Sequence, residues 1–499
     1  MSVTRRNAWL AALTALVVAR SAVFVFWSGS HFDSDQAVTG LMARHLSELR
    51  AFPVFWYGQT YMLGVEAWIA APVMAVAGAT VTALKLPLLA TNVAIALLLF
   101  RGFTIDGLDE PRAAFATLFF ALAAPITTAH FLTANGGNVE PLLYVLLIWT
   151  LRRRPILMGV VLGLGFLNRE FTIYGAIALI VIEAYAGTLL SRAGLLKYGQ
   201  AFGTAATVWV AVALLRRVSS AAGPGTSIAD LSTHMAANNL AQVIERLCFD
   251  PRAIVSGIRW ICTTHWPELF GLEPQPLTDF GIESAVRQGL TGAAWLLVPI
   301  VVLPVVGFFR GLTPIGSGFR LRLDRRGVTF TTYLLVVAAL SIAGYLVGRC
   351  GVVDFYTMRY ELLSVLGACG LAAWYLRQET PLPLRAAWIV CCVAVVGLSA
   401  VAHIRLLTEY ATAPPVPAKR ELIRALEARQ IRYAYADYWT SYYVTFMTGE
   451  RIIVASTEVV KVRTHNNEVD AHRGEAILIS RRPCAGGEQL TPAFWACRP

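Results

Sequence analysis

Two aspartates, Asp33 and Asp35, stand one residue apart just beyond the first long apolar segment of the chain. A charge next to hydrocarbon is costly to desolvate, so such acids usually face a cavity and serve a function. An ionised aspartate at a membrane surface could deprotonate an acceptor hydroxyl or hold a divalent metal against a phosphate. Alternatively, Asp33 or Ser34 only caps the following helix, where free backbone amides favour a negative group.

A second polar cluster, Asn135-Gly136-Gly137-Asn138-Val139-Glu140, lies between two apolar segments. Paired glycines let a backbone approach a ligand, and Glu140 at the start of a span would face the same cavity as Asp35. Asn-Gly-Gly-Asn is also ordinary turn chemistry, although a turn does not need the glutamate.

Arg169 and Arg359, at the ends of two other apolar segments, are candidates for binding a phosphate. Guanidinium groups match phosphate oxygens well, but an arginine at a span end could equally snorkel to the interface. His31, His45 and His265 show no metal-ligand spacing with each other, so we interpret them as interfacial or structural.

The composition predicts a multi-pass membrane protein. Of 499 residues, 56% are hydrophobic and only 15% are charged, which is too apolar for one soluble core. The formal net charge of +11 does not indicate nucleic-acid binding, because the basic residues fall between apolar segments as topology signals do. The first apolar segment lacks a small-residue cleavage pattern, so we expect an anchor that also directs export.

The distribution of basic residues predicts the topology. The apolar segments are 8–27, 64–79, 86–100, 113–129, 139–151, 156–167, 171–190, 199–215, 290–309, 329–348, 360–376 and 386–404. If 64–79 lies at the interface, most basic loop residues share the amino-terminal side, which places that side in the cytoplasm and gives about eleven spans. A full span at 64–79 would instead export Arg152-Arg153-Arg154, so we reject it.

This topology predicts two domains and localisation in the cell (inner) membrane, with the amino terminus cytoplasmic. Residues 1–404 form the transmembrane module, with a first external loop at 28–85 and a large external loop at 218–288 that has helical spacing near 240–247. Residues 405–499 form an extracytoplasmic α/β domain, with a helix at 419–430 and strands at 431–438, 451–455 and 476–480. Outside the cytoplasm, Cys484 could pair with Cys497, and Cys248 with Cys262.

A helical pattern follows the acidic pair and predicts an amphipathic helix on the outer membrane face. Its apolar positions are Val38, Leu41, Met42, His45, Leu46 and Leu49.

The order of these features resembles the C-type (GT-C) glycosyltransferases, which include protein O-mannosyltransferases and lipid A aminoarabinose transferases. The resemblance rests on Asp33-Ser34-Asp35-Gln36-Ala37, then Pro53-Val54-Phe55-Trp56-Tyr57-Gly58-Gln59 and Glu66-Ala67-Trp68, with weaker similarity at 359–363 and 432–439. It implies a helical polytopic membrane fold that takes a sugar from a polyprenyl-phosphate donor among the membrane lipids. The acceptor would be a glycan, a lipid or a protein, and transfer would invert the anomeric centre.

The resemblance also implies roles for individual residues. Asp35 matches the family's catalytic aspartate, whereas Gln36 replaces its usual glutamate, so a two-acid site would recruit Asp33. Some relatives need a divalent ion and others do not, which leaves Mg²⁺ or Mn²⁺ at Asp33 and Asp35 open. The family's lysine near Gln59 to Tyr61 is missing, so Arg169 or Arg359 would bind the donor phosphate. The expected substrate cavity comprises Asn138, Glu140, Glu170, Tyr57, Gln59, Glu66 and Tyr360.

Two other functional classes fit a polytopic chain. A transporter or lipid flippase would carry an internal pseudo-repeat and broken helices in matching halves, and the sequence shows no such repeat. A scaffold that binds a partner through its tail would leave Asp33 and Asp35 without a role.

Overall fold

The computed structural model describes residues 3–27, 30–228, 231, 247, 249–310, 313–315, 318–320, 328–349 and 355–498. The predicted helical pattern at 240–247 therefore lies almost wholly outside the described residues. The amino-terminal helices are α1 Val3–Phe26, α2 Ser34–Ser47, α3 Val65–Ala77, α4 Val81–Ile105, α5 Glu110–Ala121, α6 Pro125–Phe131, α7 Glu140–Thr150, α8 Pro155–Asn168, α9 Ile173–Tyr185 and α10 Arg192–Leu215. They are followed by α11 Pro251–Trp260, α12 Trp266–Leu269, α13 Leu297–Arg310, α14 Phe330–Arg349, α15 Ser364–Arg377 and α16 Leu382–Thr412.

Five helices in the described part of the chain are long and apolar enough to cross a membrane. They are Arg5–Phe26, Val81–Ile105, Arg192–Val218, Phe330–Gly348 and Leu382–Thr412. Helix α3 has 13 residues, or about 20 Å at 1.5 Å per residue, which is short of the ~30 Å hydrocarbon core. This length fits the predicted interfacial placement of 64–79. The total of about eleven spans remains a prediction.

The apolar segment predicted at 113–129 is broken by a bend into α5 and α6. The two helices meet at an angle of 81°, and counted as one bent span they would bring the candidates to six. Pro125 begins α6, and Ala124 before it has an extended backbone (φ −57°, ψ 158°). A proline disfavours the helical conformation of the residue before it, which accounts for the break.

Helix α2 is covered on two sides by other parts of the protein, and its place at the outer membrane face remains a prediction. Nearly every residue from Ser34 to His45 is buried, including polar positions such as Gln36 and Thr39. The helix packs between α3 and a helix of the carboxyl-terminal domain. The sequence pattern missed this second contact, because the polar face is covered by residues about 400 positions away.

The carboxyl-terminal domain is the small α/β unit that the sequence predicts. It contains α17 Ala418–Ala428, α18 Tyr438–Met447 and α19 Arg463–Ala471. The strands are β3 Tyr433–Ala436, β4 Ile453–Ser456, β5 Ile477–Ser480, β6 Glu488–Thr491 and β7 Phe494–Cys497, after a separate antiparallel pair of β1 Thr313–Ile315 and β2 Gly318–Arg320. The sheet order is β4-β3-β5-β7-β6, with β3 parallel to β4 and β5 and the other pairs antiparallel.

Two sequence expectations change, one for the last long helix and one for the cysteines of the large loop. Helix α16 continues to Thr412, beyond the boundary expected at residue 404. Cys484 and Cys497 form a disulfide, whereas Cys262 is a free thiol, so it does not pair with Cys248, which lies outside the described residues.

Candidate active site

Asp33 and Asp35 have different environments at the start of α2. Asp33 is the N-cap, and its Oδ1 accepts a hydrogen bond from the backbone N–H of Gln36 at 2.9 Å. A cap is therefore part of its role. Its charge also acts on Lys85 and on Lys419 of the carboxyl-terminal domain.

Asp35 is connected to the carboxyl-terminal domain. Its Oδ1 accepts a hydrogen bond from the hydroxyl of Tyr438, the first residue of α18. Burial and the neighbouring charge of Asp33 raise the pKa of Asp35, while the Tyr438 hydrogen bond and the charges of Arg359 and Lys461 partly oppose that rise. A buried carboxylate with a raised pKa is a stronger base than an ordinary aspartate, and the two cations help to keep it ionised.

The positive charges around Asp35 come from separate segments. Arg359 lies in the 3₁₀ turn Phe355–Glu361, and its Nη2 donates to the Tyr360 hydroxyl at 3.1 Å. Its buried Nε has no hydrogen-bond partner among the described residues, which suits a donor that awaits an anionic ligand. The Lys461 ammonium lies 4.7 Å from the ring centroid of Trp56.

Lys85 supplies a cation that the sequence analysis did not assign to the site. It lies near the start of α4, its side chain is 1% exposed, and its Nζ donates to the backbone carbonyl of His31 at 2.6 Å. A lysine at the edge of a predicted span, here one residue before the apolar segment 86–100, is itself a signal of function, so its position could have been found from sequence. Lys461 and Tyr438 gave no such signal, because each is more than 400 residues distant from the acidic pair.

The large loop at 218–288 reaches the same place. His31 Nδ1 lies 3.0 Å from the carbonyl of Gly281 in that loop, and its Nε2 lies 3.1 Å from the Thr133 hydroxyl. The backbone N–H of Glu283 also donates to the carbonyl of Ser30 at 2.9 Å. The loop therefore covers the segment that leads into α2.

The glycine pair at 136 and 137 binds a carboxylate of the protein. The two backbone amides donate to Oε2 and Oε1 of the buried Glu66 at 2.6 and 2.8 Å. Both glycines have positive φ, 94° and 98°, which an L side chain rarely adopts. The close backbone approach expected for a ligand is thus made to Glu66, with Glu140 and Arg169 acting on the same carboxylate.

The two predicted phosphate-binding arginines therefore lie in different surroundings. Arg359 acts on Asp35, whereas Arg169 acts on Glu66 and Glu140, and its Nη2 donates to the carbonyl of Asn135 at 3.4 Å.

The remaining predicted cavity residues are dispersed. Asn138 Nδ2 donates to the carbonyl of His130 at 3.3 Å, and the Tyr360 ring lies 5.7 Å from that of Phe171. Glu170 is exposed, while the buried Oε1 of Gln59 has no hydrogen-bond partner among the described residues. Tyr57 is fully buried, and its hydroxyl lies 3.0 Å from His45 Nδ1, away from Asp35.

A divalent metal at Asp33 and Asp35 remains a prediction, and only part of each carboxylate is available to it. One oxygen of Asp33 serves the cap, one oxygen of Asp35 serves Tyr438, and cations surround the pair. Among the described residues, neither aspartate belongs to a group of three side chains that could hold an ion. We derive no chemical step through a metal at this position.

The fold is similar to solved oligosaccharyltransferase structures from Archaeoglobus fulgidus. The apo form has a TM-score of 0.53 at 12% sequence identity, covering 95% of this chain and 69% of the archaeal one. Its complex with Zn and sulfate gives 0.52 at 12% identity, covering 95% and 68%. The form tethered to an acceptor peptide containing the NVT sequon gives 0.51 at 12% identity, covering 96% and 69%. No protein-family model and no curated protein sequence matches the chain.

Oligosaccharyltransferase is a GT-C glycosyltransferase, so the structural likeness confirms the GT-C fold that the sequence resemblance implies.

Proposed function

We propose that this protein is a membrane glycosyltransferase that moves a sugar from a polyprenyl-phosphate donor to an acceptor hydroxyl at the extracytoplasmic face. The observation that carries the proposal is Asp35, a half-buried acid with a raised pKa that Arg359 and Lys461 approach inside a GT-C fold. Fold alone does not specify a reaction, so the argument rests on this cluster.

The proposed reaction is a single displacement. The acceptor oxygen attacks the anomeric carbon, the bond from that carbon to the phosphate oxygen breaks, and the acceptor proton passes to Asp35. Arg359 and Lys461 neutralise the charge that develops on the departing phosphate, with Lys85 nearby. Fixed cations at a site shielded from water stabilise such charge more strongly than they would in bulk solvent.

The acceptor would approach beneath the carboxyl-terminal domain and the large loop. The domain contributes Tyr438 and Lys461, and the loop contacts His31 through Gly281. The tethered archaeal structure holds an acceptor peptide, which makes a protein acceptor one option beside a glycan or a lipid.

The transporter alternative has little support. It requires broken helices in matching halves, and the described residues contain one bent pair, α5 with α6.

The test is binding of undecaprenyl phosphate to the purified full chain, measured by native mass spectrometry. Asp35→Asn should retain the lipid, because its role is in proton transfer. Arg359→Ala should bind about 10-fold or more weakly, the loss expected when a charge-assisted hydrogen bond of at least ~1.5 kcal/mol is removed. The matched control is Arg252→Ala, which changes an exposed arginine of the large loop at 218–288, and this variant should bind the lipid as the parent does.

Failure of the parent to bind any polyprenyl phosphate would overturn the donor assignment. A separate assay of the membrane fraction then tests the chemistry with radiolabelled polyprenyl-phosphate sugars. Transfer by stable Asp35→Asn protein at the parent's rate would exclude Asp35 as the base.

A further inference from the structure

Three side chains outside the proposed catalytic cluster converge where α2 meets the carboxyl-terminal domain. They are His45 of α2, Glu450 in the turn after α18, and His465 of α19. Glu450 Oε1 lies 2.9 Å from Nε2 of His45 and 3.0 Å from Nε2 of His465, and the three ligand atoms all lie within 4.8 Å of one another. The two histidine side chains are 0% and 4% exposed.

We propose that His45, Glu450 and His465 form a zinc site that fastens the carboxyl-terminal domain to α2. Two imidazole nitrogens and one carboxylate oxygen are a donor set that Zn²⁺ takes, with bonds of about 2.0–2.2 Å. Tetrahedral ligands at that radius lie about 3.3–3.5 Å apart, so the two short contacts need to lengthen by only about 0.4 Å. The imidazole planes lie at 78° to each other with centroids 6.2 Å apart, and both Nε2 atoms lie close to the same oxygen of Glu450.

The surroundings orient two of the three ligands. The Tyr57 hydroxyl lies 3.0 Å from His45 Nδ1, and a hydrogen-bond partner on the second ring nitrogen is usual for a metal-bound histidine. Arg50 and Arg44 contact only Oε2 of Glu450, which leaves Oε1 directed at the histidines. Glu48 pairs with both arginines and offsets their charge.

Metal binding needs no further residue. Each imidazole would bind the metal through the lone pair of Nε2 and carry its proton on Nδ1. The Nδ1–H of His45 then donates to the Tyr57 oxygen. With three protein ligands, the fourth tetrahedral position is available to water.

The location gives this site a structural role separate from sugar transfer. Helix α2 carries both His45 and Asp35, and the domain that holds Glu450 and His465 also supplies Tyr438. A metal between them would fix the distance between the proposed base and its hydrogen-bond donor. The inference does not depend on the proposed reaction, because its test measures metal content and stability.

The experiment loads purified full-length protein with Zn²⁺, removes the excess by dialysis and measures bound metal by mass spectrometry. We expect about one zinc per chain and a higher melting temperature than after chelation, because metal binding stabilises the folded state. His465→Gln should lose the metal, and Tyr57→Phe should weaken binding by about 10-fold or more. His472→Gln, a histidine of the same domain outside the cluster, is the matched control and should keep it.

Loading the parent with Co²⁺ identifies the ligands even if a variant misfolds. Nitrogen and oxygen ligands give visible d–d bands without the thiolate charge-transfer band that cysteine binding would add. Zinc-free parent protein after loading, equal metal in His465→Gln and His472→Gln, or a thiolate band in the Co²⁺ form would each overturn the proposal.

Discussion

At the scale of single residues, the pKa of Asp35 is determined by opposing effects, of which the sequence shows only some. Burial and Asp33 raise its pKa, and these effects follow from its position beside a span and beside a second acid. The groups that oppose the rise, Tyr438, Arg359 and Lys461, come from distant segments. The sequence therefore predicts the acid itself but not the three distant groups that lower its pKa.

Replacing Tyr438 with phenylalanine should move the acidic limb of the activity profile to higher pH. The Tyr438 hydrogen bond favours the ionised form of Asp35, so its loss raises a pKa that already lies above the ordinary value. A base must be ionised to act, and we expect a shift of about one pH unit. The measurement is log(kcat/KM) against pH for the purified enzyme.

Tyr435→Phe is the matched control for that experiment. The Tyr435 hydroxyl donates to Asp470 in the same domain, so this variant should keep the parent profile. An unshifted acidic limb in Tyr438→Phe would show that the hydrogen bond does not tune the base.

Among the elements, the loop between α6 and α7 shows why glycine is required at residue 137. A Cβ on Gly137 would lie 2.8 Å from Arg169 Cγ and 2.9 Å from Asn168 Oδ1, in a backbone with φ +98°. Gly137→Ala should therefore cost about 2–4 kcal/mol in unfolding free energy, from backbone strain plus displacement of the loop from Glu66. Melting in detergent measures the loss.

Gly107→Ala separates the cost of backbone strain from the cost of steric contact, which Gly137→Ala combines. Gly107 has φ +94°, and a Cβ there would have nothing within 4 Å. It should show the strain alone, about 1–2 kcal/mol. Equal losses in the two variants would mean that contact with Arg169 and Asn168 is unimportant.

The break between α5 and α6 is stabilised by polar side chains inside the helical bundle. His403 Nε2 lies 2.9 Å from the carbonyl of Ala123 at the break, and Arg20 Nη1 donates to the Thr128 hydroxyl at 2.9 Å. His403→Leu removes one of two hydrogen bonds to that carbonyl, which the Thr128 hydroxyl also reaches at 3.0 Å, and should cost about 0.5–1.5 kcal/mol. Arg405→Ala, exposed on the same helix α16, should leave the melting temperature unchanged, and an equal drop in both variants would argue against the contact.

Element positions were more predictable than element environments. The apolar pattern predicted α2 and the strands β3, β4 and β5 near their observed positions, because the periodicity of apolar residues is a property of the local sequence. It missed β6, which is short and carries the polar residues Glu488 and Gln489, and it missed the four-residue strand β7. It also did not predict the cover of α2 by α18, because that is a contact between distant segments.

For the whole molecule, contacts join the carboxyl-terminal domain to the first external loop. Tyr438 reaches Asp35, the backbone N–H of Tyr443 donates to the Ser34 hydroxyl, and Phe32 packs against the domain core. Both segments must then lie on one side of the membrane. The sequence-predicted topology makes that side extracytoplasmic.

The disulfide offers a direct test of that side. Cys484 and Cys497 are bonded, and structural disulfides persist outside the reducing cytoplasm. In cells quenched with acid, denatured and treated with a maleimide, we expect both cysteines to stay unlabelled until a reductant is added. Cys262 is an exposed free thiol and should react without reductant, which shows that the reagent reached the protein. Labelling of Cys484 and Cys497 before reduction would place the domain in the cytoplasm, and with it Asp35. Sugar transfer at the extracytoplasmic face would then be excluded, because Asp35 is hydrogen-bonded to Tyr438 of this domain and must lie on the same side of the membrane.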